Sequence, residues 1–553
     1  VKADNQAELL SVAVGGALSA SSGFSLGATG SVAIDNIHTL TDASMTDTDI
    51  NSDSAKAGNV NLDAISHTDI TTSADDLNIV ASTGGVPIAA MGVVSKVTSD
   101  ADTSAGIYGT NKKSTQNVKT EIVKADSKNN ITDVAIGVNI SGSSGGFTPE
   151  VMGNVAANNI NNDTKAEVKN ANISADDLGV LAVSEETIKN YGGAIGVSGS
   201  SVSAASFGAT VVLNKITGET NALVDSSIIK TSGGEGIAIK KYALDSDTAT
   251  EEKVKGLAVN ADANHNLRDI TLTLGVAGSA NSSFSVNATV AENTIAGGTK
   301  AQVLSSAVDS SAADVSIRAH DLTDVNSFVG TLSGAGAATS GFGGAGSGDH
   351  NDFSRTVIAE FDGGATVKNL KAKAIDINAL NQAKLTLMES GLGIGGGEVG
   401  IGATGVVSVD NFAGETYAVL NHGDVTSSDS VSVEADSKKD VGVYTNAASG
   451  SGGYIAGTVT AAVGVVKENS KTIATIENSL INTKEASGSP EVNLKANNLN
   501  NITTAATEVG VAIGLGGAVG TTVSVNNFRN AVSTNLINSQ LGAENNSLEK
   551  FTA

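Results

Sequence analysis

Two short phrases recur along the whole chain at nearly constant spacing, and that spacing limits the fold more than any other feature of the sequence. One phrase alternates apolar and polar residues and closes on alanine: Val60/Leu62/Ala64, Val123/Ala125, Leu178/Val180/Ala182, Leu257/Val259/Ala261, Val315/Ile317/Ala319, Ile375/Ile377/Ala379, Val431/Val433/Ala435 and Val492/Leu494/Ala496. The other is Thr-x-Ala, at Thr41/Ala43, Thr103/Ala105, Thr164/Ala166, Thr220/Ala222, Thr299/Ala301, Thr416/Ala418 and Thr472/Ala474, with degenerate forms at Thr356 and Thr534. Period-two alternation marks a strand with one buried face.

From each closing alanine to the next threonine the distance is 37 to 39 residues, and from each threonine to the next alanine it is 18 to 24, with one exception of 41 between Thr220 and Ala261. That longer gap holds an additional strand phrase, Ile237/Ile239. The spacings read as one, two and three turns of a solenoid with coils of about 19–20 residues. On this reading 1–553 is one continuous β-solenoid of about eight three-coil repeats, with an extra coil within 220–261 and a loop bulging from the coil over 330–353. Roughly 29 coils at the strand spacing of about 4.8 Å predict a rod on the order of 140 Å long.

The residue types choose among solenoids. Leucine-rich repeats need a Leu-x-x-Leu-x-Leu phrase that is missing, and helical repeats need stripes of period 3.6 built from strong helix formers. Here 64 Gly and abundant Ser, Thr, Asn and Val dominate, with only three prolines, Pro87, Pro149 and Pro490. An all-β parallel β-helix is expected, right-handed by the usual chirality of crossovers. Gly-rich apolar stretches such as 134–138, 193–197, 391–395 and 509–514 predict a thin, flat core at their levels. The strand-ending residues Asp35, Asn158, Asn214, Asn293, Asp410 and Asn526 predict inward side chains stacked on one another, a structural device.

Charge and chemistry exclude several function classes. A formal net charge of -25 disfavours nucleic acid and anionic membranes, and the absence of cysteine removes disulfides and thiolate metal sites. No signal segment is visible, and the longest apolar runs are too short for a membrane-crossing helix, which takes roughly 20 residues, so no transmembrane segment is expected. The six histidines, His38, His67, His265, His320, His350 and His422, are scattered and read as loop or surface residues. Asp75-Asp76 and Asp176-Asp177 read as turn closures rather than calcium or glycosidase carboxylates. The run 343–352 resembles a calcium-binding nonapeptide, but its Asp falls one residue late and the phrase occurs once. The chain is expected not to be an enzyme, with no catalytic residue, no cofactor and no metal.

The succession of a Gly-rich apolar run, Val-x-x-Asn-x-Ile, Thr-x-Ala-x-Val and Val-x-Ile-x-Ala, clearest over 193–224, 274–319 and 391–435, resembles the repeats of leukotoxin-type filamentous adhesins of Gram-negative bacteria. More distantly it is similar to filamentous haemagglutinin. The resemblance implies a secreted or cell-surface location, export by a two-partner or autotransporter route with an outer-membrane secretion partner, and attachment to host cells or extracellular matrix, as the shaft of an adhesin. The alternatives are the shaft of a secreted cytotoxin and a β-helix polysaccharide lyase. The lyase is disfavoured because the chain has no Trp and only six scattered Tyr to serve as sugar platforms.

Overall fold

The computed structural model describes all residues except 51–55, 245, 247, 484–490, 543–549 and 553. It is an all-β parallel β-helix, and the alanine phrases stack as the sequence requires. Ala64, Ala125, Ala182, Ala261, Ala319, Ala379, Ala435 and Ala496 lie opposite one another in register, each hydrogen-bonded strand resting on the next.

The coil is three times longer than the phrase spacing suggests. Except across the 220–261 interval, paired residues are 55 to 66 positions apart, as in Asp177 to Thr120 and Ser25 to Pro87, so a whole three-phrase repeat makes one turn. A level begins with a long strand such as Asp177–Ser200 and turns through 201 and 202. It returns along Ser203–Thr217 and Glu219–Asp225, then closes with the short strand Ile228–Thr231. The 38-residue spacing from Ala182 to Thr220 is the path out along one long strand and back along the other. The shorter spacing is the short strand and its corners.

Nine first strands, starting near Lys2, Val60, Thr120, Asp177, Gly256, Asp314, Ala374, Ser430 and Glu491, stack into one sheet. At about 4.8 Å per level the stack is on the order of 40 Å tall, not 140 Å, while strands of this length run about 75 Å at about 3.3 Å per residue. The molecule is therefore a wide, flat block.

The 220–261 interval is not an extra coil. Levels on either side of it are joined at a separation of 79, as in Leu178 to Leu257, but the surplus residues leave the stack as an antiparallel hairpin, Ile237–Lys241 with Thr250–Val254. Nor does 330–353 bulge. It lies in the regular strands Asp314–Ala337 and Ser340–Asp362, with 343–352 in unbroken register against 285–294. The degenerate threonines also shift, because Thr299 faces Val357 and Thr472 faces Val532.

One corner repeats a backbone device. Asp47, Asn170, Ser226, Ser305, His422, Asn478 and Asn538, which follow the second long strand, all adopt φ between 47° and 51°. Asn and Asp tolerate this left-handed conformation better than other side-chain-bearing residues, and it redirects the chain into the short strand.

The core is divided along the strands. At the end where the first strand, second strand and short strand meet, Leu178, Val180 and Ala182 pack against Ala222, Val224 and Ile229 and their equivalents at other levels. Farther along, a second apolar column holds Ile70, Ile131, Ile188 and Leu267 against Val97, Ile160, Ile216 and Ile295. Beyond it the two long strands face each other alone, and the interior there is mostly small or polar. Gly343 shows how close the sheets come: an added Cβ would stand 2.0 Å from the carbonyl oxygen of Ile394.

Candidate binding surfaces

The interior holds most of the buried chemistry, and it is self-paired. The predicted inward Asn/Asp column is real from Asn158 to Asp410, though it sits mid-strand rather than at a strand end; Asp35 and Asn526 lie outside it, separated from it by Val97 and Val466. The side-chain amide of Asn158 donates to Asn214 (3.1 Å), Asn214 to Asn293 (2.9 Å), Asn293 to Asn351 (2.9 Å) and Asn351 to Asp410 (2.6 Å). Asn214, Asn293 and Asn351 each accept from one level and donate to the next, and the ladder ends on an acceptor that needs no donor of its own. Burial lifts the Asp410 carboxyl to about 6, against the opposing hydrogen bonds from Asn351 and Ser408.

A second interior network joins four charges. His265 Nδ1 lies 2.5 Å from Glu186 and its Nε2 3.6 Å from Asp321, which also pairs with Arg355 at 2.9 Å. All four are buried, so the surface reading of His265 is corrected. Burial disfavours the Asp321 anion, but Arg355 and His265 outweigh that and hold it well below the usual range. Glu121 has no such partner among the described residues. It occupies the column of Val60 and Leu178, and burial alone raises it to about 8.

On the outside, the hairpin creates a concavity. Ile237, Ile239 and Val254 bury their apolar face on Leu181, Ala258 and Ile122, outward residues of the first sheet that alternation alone would leave wet. Below the hairpin Tyr242 stacks on His320, with ring centroids 3.6 Å apart, and both reach Asp262, at 3.2 and 2.9 Å. His320 Nε2 is 3.1 Å from Gln382, whose amide donates to the carbonyls of Ala243, Leu244 and Ser246. This second buried histidine is also a correction, because it is a clamp on the hairpin rather than a surface residue. His38 pairs with Asp100, His67 with Asp69 and His422 with Asp362, while His350 contacts the Val409 carbonyl.

The adjoining cavity, about 460 Å³, is lined by Lys240, Tyr242, Arg318, Asp376, Asp436 and Lys495 among others. Its strongest cation is already engaged: Arg318 reaches Asp376 at 2.5 Å and Glu252 at 3.0 Å. Lys240 and Lys241 pair with Asp262 and Glu252. Burial opposes ionisation of Glu252, yet Arg318 and Lys241 hold it below its ordinary value. Such a pocket can receive a polar ligand edge. Its charged groups are positioned to hold the hairpin down.

The two aspartate pairs differ. Asp177 closes a turn, accepting from the backbone N–H groups of Gly234, Gly236 and Gly256, and Asp176 pairs with Lys56 and Ser232. Asp75 and Asp76 are instead in mid-strand, Asp75 outward and Asp76 inward, where it accepts from Thr29 at 2.7 Å. Among the described residues no group of three or more His, Cys, Asp or Glu could hold a metal ion.

The Gly-rich apolar stretches carry the feature that sequence reading missed. In the half of each level beyond the second apolar column, it is the large apolar side chains that point outward. Ile136, Ile195, Val197, Leu272, Val276 and Ile394 are exposed on the first sheet, and Val151, Phe207, Val290, Ile401 and Val407 on the second. Phe207, Phe284 and Phe342 form a row there, with centroids 5.5 and 4.8 Å apart, in a groove of about 520 Å³.

Fold and surfaces together define a broad, two-sheet parallel β-solenoid with an ionic half and an apolar half. Compared with family models, curated proteins and solved structures, the chain matches none.

Proposed function

We propose that the chain is a shaft segment of a large secreted or surface-displayed bacterial adhesin, a structural element that presents binding regions to host cells or other surfaces. What carries this reading is that the packing repeats from level to level while the buried polar groups pair with one another. The alanine column runs through eight strands without interruption, and the amide ladder across five levels and the four-charge network are each paired within the stack. A repeated scaffold with varied, internally paired polar groups suits a spacer better than a reaction site. The resemblance to leukotoxin-type adhesin repeats supports the same reading.

The test is made in the producing bacterium. Antibody against this segment should label intact cells, and in-frame removal of the segment should lower attachment to cultured host cells. Labelling only after the cells are broken open would overturn the proposal, as would unsaturated products released from uronate polymers by the purified chain.

A further inference from the structure

The outward positions in the far half of each level form a band with the polarity of a membrane surface. On the first sheet the band covers the columns of Gly193, Ile195, Val197 and Gly199, and on the second those of Ala205, Phe207, Ala209 and Val211. Across all nine levels Asp75 is the only charged side chain at these outward positions. In the other half of the same sheets the outward columns are rich in ions, as in Lys124, Asp126, Lys128 and Glu185. Charge therefore stops at a line that crosses every strand at about the same place.

Inside the band small and polar residues predominate, interspersed with Met91, Val93, Met152 and Val406. Thr210, Thr273, Thr289 and Thr331 form a hydroxyl chain with links of 2.7 to 2.8 Å between the two sheets. Asn154 donates to Gly193 O, Ser333 to Ser285 O and Thr404 to Ala448 O. A continuous apolar exterior over an interior with many polar groups is the arrangement of a protein whose solvent is lipid. Aromatic residues mark both margins. Tyr191, Phe328 and Tyr444 share the column that borders the ionic half, and Phe24, Phe147 and Tyr454 stand at the far turns. Apart from these aromatics the turns hold Ser, Gly, Ala, Asn, Thr and Val, with Glu398 their one charged residue among the described residues.

We propose that this half of the solenoid is a blade that enters a lipid bilayer edge-on, with its far turns leading and its strands running across the hydrocarbon layer. The ten residues from Tyr191 to Ser200 extend about 33 Å at about 3.3 Å per residue, which matches a hydrocarbon layer of about 30 Å. A strand rises more than twice as far per residue as a helix, so runs too short for a helical crossing suffice. A second copy is the other candidate occupant. A twofold dimer would cover one apolar face and leave the other in water, and covering both by stacking would give open-ended aggregates, whereas a bilayer covers both faces at once. Between the first and last described levels each strand of the first sheet is paired on both sides, so no open edge faces the hydrocarbon there, while apolar area grows with every level. The net charge of -25 favours zwitterionic over anionic lipid. This inference does not depend on the adhesin reading.

The absence of tryptophan makes the test direct. Single reporters are placed in the full chain at Val197→Trp and Leu272→Trp in the band, and at Lys215→Trp on the exposed ionic half, and mixed with phosphatidylcholine vesicles. The two band reporters should shift to shorter emission wavelength and be quenched by lipids brominated in the acyl chain, with Lys215→Trp unchanged. Ile195→Asp combined with Leu272→Asp should reduce vesicle co-flotation at least ten-fold, with the strand circular dichroism retained. Band reporters that stay water-like with vesicles would overturn the proposal. So would band reporters that are already blue-shifted without lipid in a sedimenting stack, which would assign the faces to a second copy. The reporters decide the matter even if the double aspartate variant fails to fold.

Discussion

Glu186 and His265 are 79 residues apart in the chain and 2.5 Å apart in the structure, on adjacent levels and both buried. Burial and Arg355 disfavour the charged imidazole, but Glu186 and Asp321 outweigh them and raise its pKa above the usual value. A raised histidine pKa stabilises the fold fully below about 6.5 and loses that contribution as pH climbs through the folded value. Asp321 is lowered, so its contribution is present above about 3.8 and fades as pH falls toward its folded value. The contribution of this site is therefore constant between these limits, and the difference in thermal unfolding between the wild-type chain and a variant of the site isolates it. His265→Gln should remove the share of the alkaline decline that comes from this site.

Arg355→Leu should cost about 3–5 kcal/mol, because it leaves the buried Asp321 with the more distant His265 as its remaining cation, beside the Thr299 hydroxyl, and frees the carbonyls of Gly218 and Ala296 that Arg355 now serves. Urea unfolding followed by circular dichroism measures this. A loss below about 1 kcal/mol would mean that Asp321 keeps enough solvent to dispense with its cation.

Glu121 makes the opposite prediction. Its folded value of about 8 exceeds the ordinary carboxyl value, so the folded state holds a proton that the unfolded chain has released, and stability falls as pH rises from about 4.5 to about 8. Glu121→Leu, which copies Leu178 in the same column, should stabilise the protein by about 3 kcal/mol at pH 9 and by much less at pH 4.

In the amide ladder, Asn214→Asp should be worse than its size suggests. The change removes the donor to Asn293 and sets two oxygens against each other, at a cost of about 1–3 kcal/mol at neutral pH that acid should relieve. Asp410→Asn, at the end of the ladder, should be tolerated. The two variants compared by unfolding at pH 4 and pH 8 test the direction of the ladder.

Coil length predicts which deletions fold. Removing 121–177 joins Thr120 to Leu178, the residue that now stands over Glu121, and should give a shorter cooperative stack. Removing 234–255 joins Gly233 to Gly256, copying the Asp176–Asp177 link one level below, and should cost only the hairpin and its cover over His320. Removing the 20 residues from Lys241 to Asn260 cuts into the first strand of a level and should unfold that region. Melting curves of the three chains separate these outcomes.

Much of this architecture could be read from residue spacing, and the misreadings have physical causes. The alanine and asparagine columns were legible because a parallel stack places equivalent residues over one another. Coil length was not, because three phrases of similar length give the same arithmetic whether each is a turn or each is one leg of a larger turn. Alternation also shows that a strand has two faces without showing which is inside. For Leu178 and Val180 the apolar face is the core, whereas for Ile195 and Val197 it is the exterior. His265 and His320 lacked any local signal, since their partners Glu186 and Asp262 come from other levels.

The proportions of a level also govern how the block answers force. Backbone hydrogen bonds between levels point along the stacking axis, and each level carries two long strands and a short one, so a pull along that axis is shared by several tens of bonds at once. A pull on a chain end loads them one after another and peels the outermost turn. Bending is unequal in the same way. The levels form a plate about 75 Å broad but only two sheets thick, rigid within its own plane and far more compliant across it.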